Sequence, residues 1–442
     1  MAEEVWMLQT KKADFKQIGA RFRIDPVTAR IIRNRGIEGE AAIARYLNGT
    51  LDDLYDPMLL KDMERAVSIL CEAVDTGKKI RIVGDYDIDG VCSTYILLQA
   101  FERLGSDVDF EIPDRIKDGY GINESIIEQA HADGVEVILT CDNGISAFHQ
   151  VELAKKYGMT VVITDHHEVP LDGEKEKIPP ADAVIDPKQA DCPYPFPEIC
   201  GAVVAYKLVQ VLYARRGVPQ MEWLDLLEFA AIATVGDVMK LQDENRILVK
   251  YGLKKMAQTK NLGLRRLAEK NNLDLGAITA YHIGFVIGPC LNAGGRLKTA
   301  KEALALLRAQ SEEEAERLAE ELKELNDTRK DMTEQGTEAA KLQVESWYQK
   351  DKVLVVFLPE CHESLAGIIA GRLREYYQKP AIVLTRGEEA VKGSGRSIDE
   401  YHMFKKLTEV SDLLLKFGGH PLAAGLSLEE KNIDEFRRRL NE

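Results

Sequence analysis

No Cys-x-x-Cys pair occurs in the sequence, whose seven cysteines (Cys71, Cys92, Cys141, Cys192, Cys200, Cys290 and Cys361) are scattered. Such spacing argues against a zinc ribbon and against a disulfide framework, so the thiols are expected to be buried in a reducing, cytoplasmic setting. A secretory leader is not expected either, since Met1-Ala-Glu-Glu-Val-Trp6 lacks a basic flank followed by an apolar run. The most apolar helix-length stretch, residues 199–214, is interrupted by Lys207 and is short for a bilayer span, which predicts a soluble chain with no membrane partner. Basic excess is missing as well: the formal charge is −15. That balance disfavours a non-specific nucleic-acid coat, whose affinity comes from Lys and Arg neutralising phosphates. It leaves room for a nucleic-acid enzyme, because a carboxylate-rich metal site and a local basic groove coexist under a negative total. Neither an internal repeat nor a low-complexity tract breaks the 442 residues, enough for two or three domains with sizeable cores.

What is present changes character along the chain. Residues 1–75 read as an N-terminal helical segment, with Asp25-Pro26 opening a helix and Asn34-Arg-Gly36 closing it. From residue 80 to residue 187 short apolar strands (80–83, 107–112, 135–140, 159–164 and 181–185) alternate with helices, the pattern of an α/β doubly wound parallel sheet. A Pro-rich loop, Cys192-Pro-Tyr-Pro-Phe-Pro197, leads into mostly helical sequence as far as residue 300, completing a first large domain over residues 76–300. Residues 301–348 are read as a connecting segment dominated by one long charged helix from Ser311. Ser311 with Glu314 fits a capping box, and Ala315, Leu318, Leu322 and Leu325 form a narrow apolar seam that Arg329 continues toward the cleft. A smaller α/β unit, residues 349–442, carries strands near 353–357 and 381–385 and two expected glycine-rich turns, Gly393-Ser-Gly-Arg396 and Gly418-Gly-His420.

The chemistry concentrates in Ile80-Arg-Ile-Val-Gly-Asp-Tyr-Asp-Ile-Asp-Gly90, where a short apolar run delivers Asp85, Asp87 and Asp89 into a turn that Gly84 and Gly90 are expected to keep flexible. Carboxylates packed so closely repel one another unless a cation sits among them. A solvated acidic turn is the plainer alternative. Two further strand ends repeat the theme, with Asp142 in Cys141-Asp-Asn-Gly144 and with Asp165, His166 and His167; Asp237 follows a helix-like run and closes the set. Each alone is more often a turn former than a ligand. Together they converge, because loops at the carboxyl ends of a doubly wound sheet share one crevice. Carboxylates with an imidazole favour Mn²⁺, with Mg²⁺ second. Five or six ligands exceed one ion, and two ions roughly 3.5–4 Å apart suit in-line displacement at phosphorus. Arg296, Arg396 with Ser394, and His420 beside Gly418 and Gly419 supply donors for phosphate.

Gly84-Asp-Tyr-Asp-Ile-Asp-Gly90, Cys141-Asp-Asn-Gly144, Asp165-His-His167 and Gly418-Gly-His-Pro-Leu-Ala-Ala-Gly425 as an ordered set closely resemble the DHH phosphoesterases. Asn34-Arg-Gly36, Leu54-Tyr-Asp-Pro57, Ile112-Pro-Asp-Arg-Ile-Lys-Asp-Gly-Tyr-Gly121 and His362-Glu-Ser-Leu-Ala-Gly367 narrow the likeness to the RecJ exonucleases, over nearly the whole chain. The resemblance implies a manganese-dependent exonuclease, with two ions, that digests single-stranded DNA from the 5′ end to mononucleotides, working in recombination and repair beside helicases and single-strand binding protein. It implies Asp87, Asp89, Asp142, His166 and Asp237 as metal ligands with Asp142 as the bridge, and His167 as general acid or charge stabiliser beside the scissile phosphate. It also implies Arg296, Ser394, Arg396 and His420 as the phosphate clamp of a DHH-associated domain.

Two departures stand out. Many relatives place a His four residues before Asp87, where this chain has Val83, so Asp85 either substitutes as a ligand or tunes the surrounding shell. RecJ exonucleases also usually carry an OB-fold after the DHH-associated domain, and this sequence stops at Glu442. OB-folds grip single strands, so chemistry is expected to survive while affinity and processivity are left open. Two other readings are a DHH phosphodiesterase for short oligonucleotides or small nucleotides, and a repair scaffold that has lost its metals. The intact ligand set speaks against the last.

Overall fold

The computed structural model describes residues 7–442; residues 1–6 of the predicted N-terminal segment lie outside them. Helices α1 (Phe15–Phe22), α2 (Pro26–Asn34), α3 (Glu40–Asn48) and α4 (Met63–Asp75) come first. The start of α2 follows its sequence signal: Asp25 accepts the backbone N–H groups of Val27 and Thr28, each at 2.9 Å, with Pro26 in the first turn. Gly36, at φ 85°, turns the chain just beyond it.

An alternating run follows, β1 (Ile80–Val83), α5 (Ile88–Arg103), β2 (Val108–Glu111), α6 (Glu124–Ala132), β3 (Val137–Cys141), α7 (Phe148–Lys156), β4 (Thr160–Thr164), the small hairpin β5 (Leu171–Asp172) and β6 (Lys175–Glu176), and β7 (Ala183–Ile185). Five of these strands form a fully parallel sheet in the order β2-β1-β3-β4-β7. Both faces are covered. Val83, Ile138, Val161 and Ile163 pack with Ile126, Ile127, Val151 and Ala154 of α6 and α7, while α5, almost wholly buried, lies on the other side with α8 (Gly201–Arg215) and α10 (Leu227–Gly236). The strand order reverses between β1 and β3, and ligands of such sheets collect outside the carboxyl ends at that reversal.

The remaining helices of this part are α9 (Gln220–Leu224), α11 (Asp243–Met256), α12 (Leu262–Lys270), α13 (Ala280–His282), α14 (Gly288–Leu297) and α15 (Lys301–Arg308), with a π-helical turn, Ile283–Ile287, between α13 and α14. Lys207, which breaks the apolar run of α8, is buried in a 3.0 Å pair with Glu244 and donates to the Tyr55 carbonyl. Among the described residues no helix is long and apolar enough to cross a membrane. Of the cysteines expected to be buried, Cys92, Cys141, Cys200 and Cys290 are, whereas Cys71, Cys192 and Cys361 are partly exposed.

Helix α16 (Glu312–Gln343) is long and charged, and a π-helical turn, Val344–Tyr348, ends it. Its cap is close to the expected box: Ser311 Oγ accepts the Glu314 N–H at 3.2 Å, while the Glu314 carboxylate reaches back to the N–H of Gln310 rather than Ser311. Ala315, Leu318 and Leu322 are buried, and Arg329, partly buried, donates from Nε to Asn326. Two compact units divide within this helix, Leu8–Glu324 and Leu325–Glu442.

The second unit holds β8 (Leu354–Phe357), α17 (Ala366–Tyr377), β9 (Ala381–Arg386), β10 (Val391–Arg396), α18 (Met403–Glu409), β11 (Leu414–Gly419), β12 (Ala423–Leu428) and α19 (Ile433–Asn441). Its sheet runs β11-β12-β10-β9-β8, parallel only between β8 and β9. The two glycine-rich segments expected as turns are instead largely strand, because their backbones pair in register: Ser394 lies opposite Gly425, and Gly425 opposite Gly418. Missing side chains there leave room on the sheet for close approach of another group.

Candidate metal centre

The opening stretch places its carboxylates by helix chemistry. Asp87 caps α5, its Oδ1 accepting the N–H groups of Asp89 at 2.9 Å and Gly90 at 3.1 Å. Asp89 sits in the first turn of α5 and is gripped from the far side of the sequence: Gly201 N–H reaches its Oδ2 at 2.7 Å and Ala202 N–H its Oδ1 at 2.8 Å. Those donors open α8, so a helix N-terminus holds the anion in place. Asp85, also buried, accepts the Gly121 N–H at 3.2 Å. The glycines act by close approach rather than by flexibility. A Cβ on Gly90 would stand 2.3 Å from the Asp85 carbonyl oxygen, and one on Gly84 would strike the Thr94 hydroxyl.

At the end of β3, Asp142 adopts φ 61°, a left-handed conformation that costs a non-glycine residue about 1–2 kcal/mol. Its neighbourhood enforces this. Asn143 donates to the carbonyls of Val83 and Cys141, Gly144 turns at φ 120°, and Gly201 lies so near that a Cβ would meet the Asp142 Cβ at 2.7 Å. Strain held at a strand end beside charged groups is a recurrent mark of functional sites.

Asp165, buried after β4, organises both histidines. Its Oδ1 accepts the His166 N–H at 2.7 Å and the His167 N–H at 3.2 Å, it faces His167 Nδ1 at 2.8 Å, and its Oδ2 takes the Ile145 N–H. His166 then points Nε2 at Asp142 Oδ1 (3.0 Å), Asp89 Oδ2 (3.4 Å) and Asp237 Oδ2 (3.9 Å). Three overlapping groups emerge, Asp142 with His166 and His167, Asp89 with His166 and Asp237, and Asp85 with Asp87 and Asp142; within each, one ligand atom per residue lies within 4.8 Å of the others.

Electrostatics explain what such a cluster requires. Burial, reinforced by neighbouring carboxylates, raises the pKa of Asp85, Asp87 and Asp142 and brings Asp237 to about 8. Burial lowers His166. On His167 burial acts downward but is overridden by the hydrogen bond and charge of Asp165, with help from Asp89 and Asp237, and the ring reaches about 9. Asp165 runs the other way, held below the usual carboxylate range by His167 and the Ile145 N–H against the effect of its burial. The donor set fits divalent cations: buried carboxylate oxygens with one imidazole, and an Asp142 Oδ1 that receives no hydrogen bond from the described residues. Val83 is part of the apolar core beneath and offers no donor, whereas Asp85 lies among the candidate ligands.

The remaining predicted positions fall into two places. Arg296, near the end of α14, lines a small cavity of about 40 Å³ with Tyr86 and Arg115; Gly295 packs so tightly on the Tyr86 carbonyl that a Cβ would stand 2.3 Å away. In the second unit Arg396 Nη1 donates to Ser394 Oγ at 3.2 Å, both on the face of β10 toward Gly367 of α17. His420 opens the β11–β12 turn, its N–H donating to Ala423, which pairs with Arg396.

Several neighbours went unassigned at the sequence level. Tyr120 donates its hydroxyl to the Asp142 carbonyl at 2.7 Å and lies 3.2 Å from His167 Nε2, and Arg115 stacks over Tyr86 at 4.8 Å. Both lie inside the quoted 112–121 motif, a signal that was visible. Gly201 carried none, being 112 residues from the carboxylate it binds.

Known proteins resemble this chain in sequence and fold. A model of the DHH family, N-terminal domain, matches residues 79–234, and one of the DHHA1 domain matches residues 350–442. The single-stranded-DNA-specific exonuclease RecJ of Bacillus subtilis (strain 168) is 38% identical over 440 residues, covering 99% of this chain and 55% of that protein. Its namesake in Escherichia coli (strain K12) is 36% identical over 440 residues, covering 95% of this chain and 74% of the relative. The crystal structure of RecJ in complex with Mn²⁺ from Thermus thermophilus superposes with a TM-score of 0.82 at 31% identity, covering 97% of this chain and 60% of that one. The same protein in complex with Mg²⁺ gives 0.74 at 30% identity, with coverage of 97% and 58%. This chain therefore spans little more than half of the B. subtilis protein. With its DHH and DHHA1 domains in that order, and with this identity and coverage, the chain belongs to the RecJ family.

Proposed function

We propose that the chain hydrolyses phosphodiester bonds of single-stranded DNA from the 5′ end, releasing 5′-mononucleotides in DNA recombination and repair. The observation that carries the reading is the convergence of Asp85, Asp87, Asp89, Asp142, His166 and Asp237 at the β1/β3 reversal of the parallel sheet. Relatives named for that activity, and crystallised with Mn²⁺ or Mg²⁺, support it. Residues 76–300 act as the catalytic domain behind the helical segment 1–75, with 301–348 connecting them to the substrate-binding domain 349–442.

Asp87, Asp89, Asp142, His166 and Asp237, with Asp85 where Val83 offers nothing, would hold the Mn²⁺ ions, two on this reading, or Mg²⁺ in their place, and Asp142, common to two of the three ligand groups, would be the shared ligand. Divalent cations bound there supply charge stabilisation for a pentacovalent phosphate and lower the pKa of water. The protein's own groups do the rest. Asp165 fixes the His167 ring through Nδ1, and the Tyr120 hydroxyl lies over the ring, 3.1 Å from Nδ1 and 3.2 Å from Nε2. With a pKa near 9 and a side chain 44% exposed, His167 is protonated at neutral pH and accessible, fit to stabilise charge on the phosphate or to hand a proton to the leaving oxygen. Arg296, Ser394, Arg396 and His420 contact phosphate oxygens of the strand. Single-strand binding protein and a helicase are the expected partners.

A 5′-labelled single strand incubated with Mn²⁺ tests the reading. Early release of labelled mononucleotide by the wild type, absent with Asp142→Ala, is the expected result. A strand left intact by both, or the label staying on long products while the 3′ end shortens, overturns it.

A further inference from the structure

Between α13 and α14 the chain makes a π-helical turn, Ile283–Ile287, whose two sides differ sharply. One side is buried: Ile283 and Ile287 are fully enclosed, Gly284 lies against Val235 at the end of α10, and the following Gly288 packs on Ile88, the residue between Asp87 and Asp89. The other side is open. Tyr281 is 64% exposed and Phe285 67%, and their rings stack on each other with centroids 4.8 Å apart and planes 28° from parallel. Two large aromatic side chains, four residues apart on one helical face, thus form an exposed two-ring stack whose outer ring faces are open, on an element braced against the backbone that carries candidate ligands. Val235 is two residues before Asp237, and Val238 beyond it is 86% exposed with φ 58°, a conformation a β-branched residue adopts only under constraint.

We propose that Tyr281 and Phe285 form a base-stacking platform that positions the bases of a single strand whose phosphates lie at the metal centre. The proposal rests on the nuclease reading above. Every base has a π-face, so such a platform is tolerant of sequence, and it engages only bases that are not already stacked in a duplex. Continuity with the metal centre through Gly284–Val235 and Gly288–Ile88 sets nucleic acid above a protein helix as the occupant, since a strand threaded to that centre must pass its bases along neighbouring surface. The π-turn has a role in this account: its extra residue turns Phe285 outward beside Tyr281 while Ile283 and Ile287 stay in the core, and such turns recur at functional sites.

The test is steady-state kinetics on a long 5′-phosphorylated strand with Mn²⁺, comparing wild type with the Tyr281→Ala/Phe285→Ala double variant and with Phe285→Trp. The platform predicts a KM at least fivefold higher for the double variant, kcat changed less than twofold, and recovery of KM with Phe285→Trp. A second arm uses strands with runs of abasic residues. Wild type should lose affinity on these strands, and the double variant should lose little more. An unchanged KM, or an equal loss on normal and abasic strands, overturns the platform while leaving the nuclease reading intact. An increase in KM shared by Phe285→Trp also overturns it. A wild type that cleaves neither strand overturns the nuclease reading itself. Should the double variant not fold, wild type on abasic strands decides alone: cleavage with unaltered KM contradicts the platform. A change in self-association without a change in KM would assign the surface to a protein contact instead.

Discussion

In the first unit the candidate site is made of acids that are buried, mutually repelling and fixed by backbone N–H groups of helices α5 and α8. In the second unit the predicted contacts are Ser394, Arg396 and His420 along strands whose neighbours are Gly418, Gly419 and Gly425, with His420 exposed. The first arrangement is unfavourable without cations and specific because of it. The second offers side-chain donors beside glycines that leave space for an anion, at little electrostatic cost. From this contrast, substitutions in the first unit should act on metal loading and turnover, and those in the second on substrate affinity.

The largest expected effect is that of Asp142→Ala, which should lower turnover on a single strand by at least about 10³-fold, the scale of losing a main electrostatic contributor, measured at saturating substrate. A persistent rate would break the contrast at its centre. His167→Gln comes next, with kcat expected to fall by about 10²–10⁴-fold. Because Asp165 raises the pKa of His167, the wild-type rate should decline at alkaline pH as the proton is lost, and the variant's pH–rate profile should lack this alkaline limb. Asp165→Asn removes no carboxylate of the candidate ligand groups but weakens the hold on His166 and His167, freeing the His167 ring and lowering its pKa. A loss of about 10–100-fold is expected, with the alkaline limb shifted to lower pH.

In the second unit, Arg396→Ala should raise KM for 5′-phosphorylated strands about tenfold, the scale of one charge-assisted hydrogen bond, with kcat nearly unchanged. Gly367→Ala should act in the same direction and more weakly, since its Cβ would stand 2.8 Å from Arg396 Nη2, the far end of a flexible side chain. A kcat effect equal to the KM effect would erase the distinction between the units.

The smallest effect concerns stability. Asp85, Asp87 and Asp142 have folded pKa values above 3.8 and Asp237 reaches about 8, so between those values the folded chain binds more protons than the unfolded one. The stability of EDTA-treated protein must then fall as pH rises through that window. His167 adds a loss of the same sign as pH passes about 9. Thermal melts should show this decline, and Mn²⁺ should raise Tm more at pH 8 than at pH 6, because cations compete with the same protons.

Much of this was legible in the sequence, for reasons that differ by element. The parallel strands are buried on both faces and read as uninterrupted apolar runs, so their positions and the doubly wound class follow directly. Asp85, Asp87, Asp142 and His166 stand immediately beyond those runs, where the sheet's topology does the gathering. Glycine misled, since the same residue serves turns, strands and close approaches. Gly393, Gly418 and Gly90 looked like turn formers and proved to be strand or packing positions. The hold of α8 on Asp89 left no local trace, because a backbone N–H has no sequence signature. Ile283-Gly-Phe-Val-Ile287 lay within a stretch read only as mostly helical, which gave no sign that Phe285 faces outward from a π-turn.

Mn²⁺ titration of EDTA-stripped protein, followed by calorimetry at pH 7.5 in buffers of different ionisation enthalpy, tests the central claim most directly. Two Mn²⁺ per chain with net proton release are predicted for the wild type, and loss of that binding in Asp142→Ala. Undiminished Mn²⁺ binding by Asp142→Ala, or none by the wild type, would contradict the account.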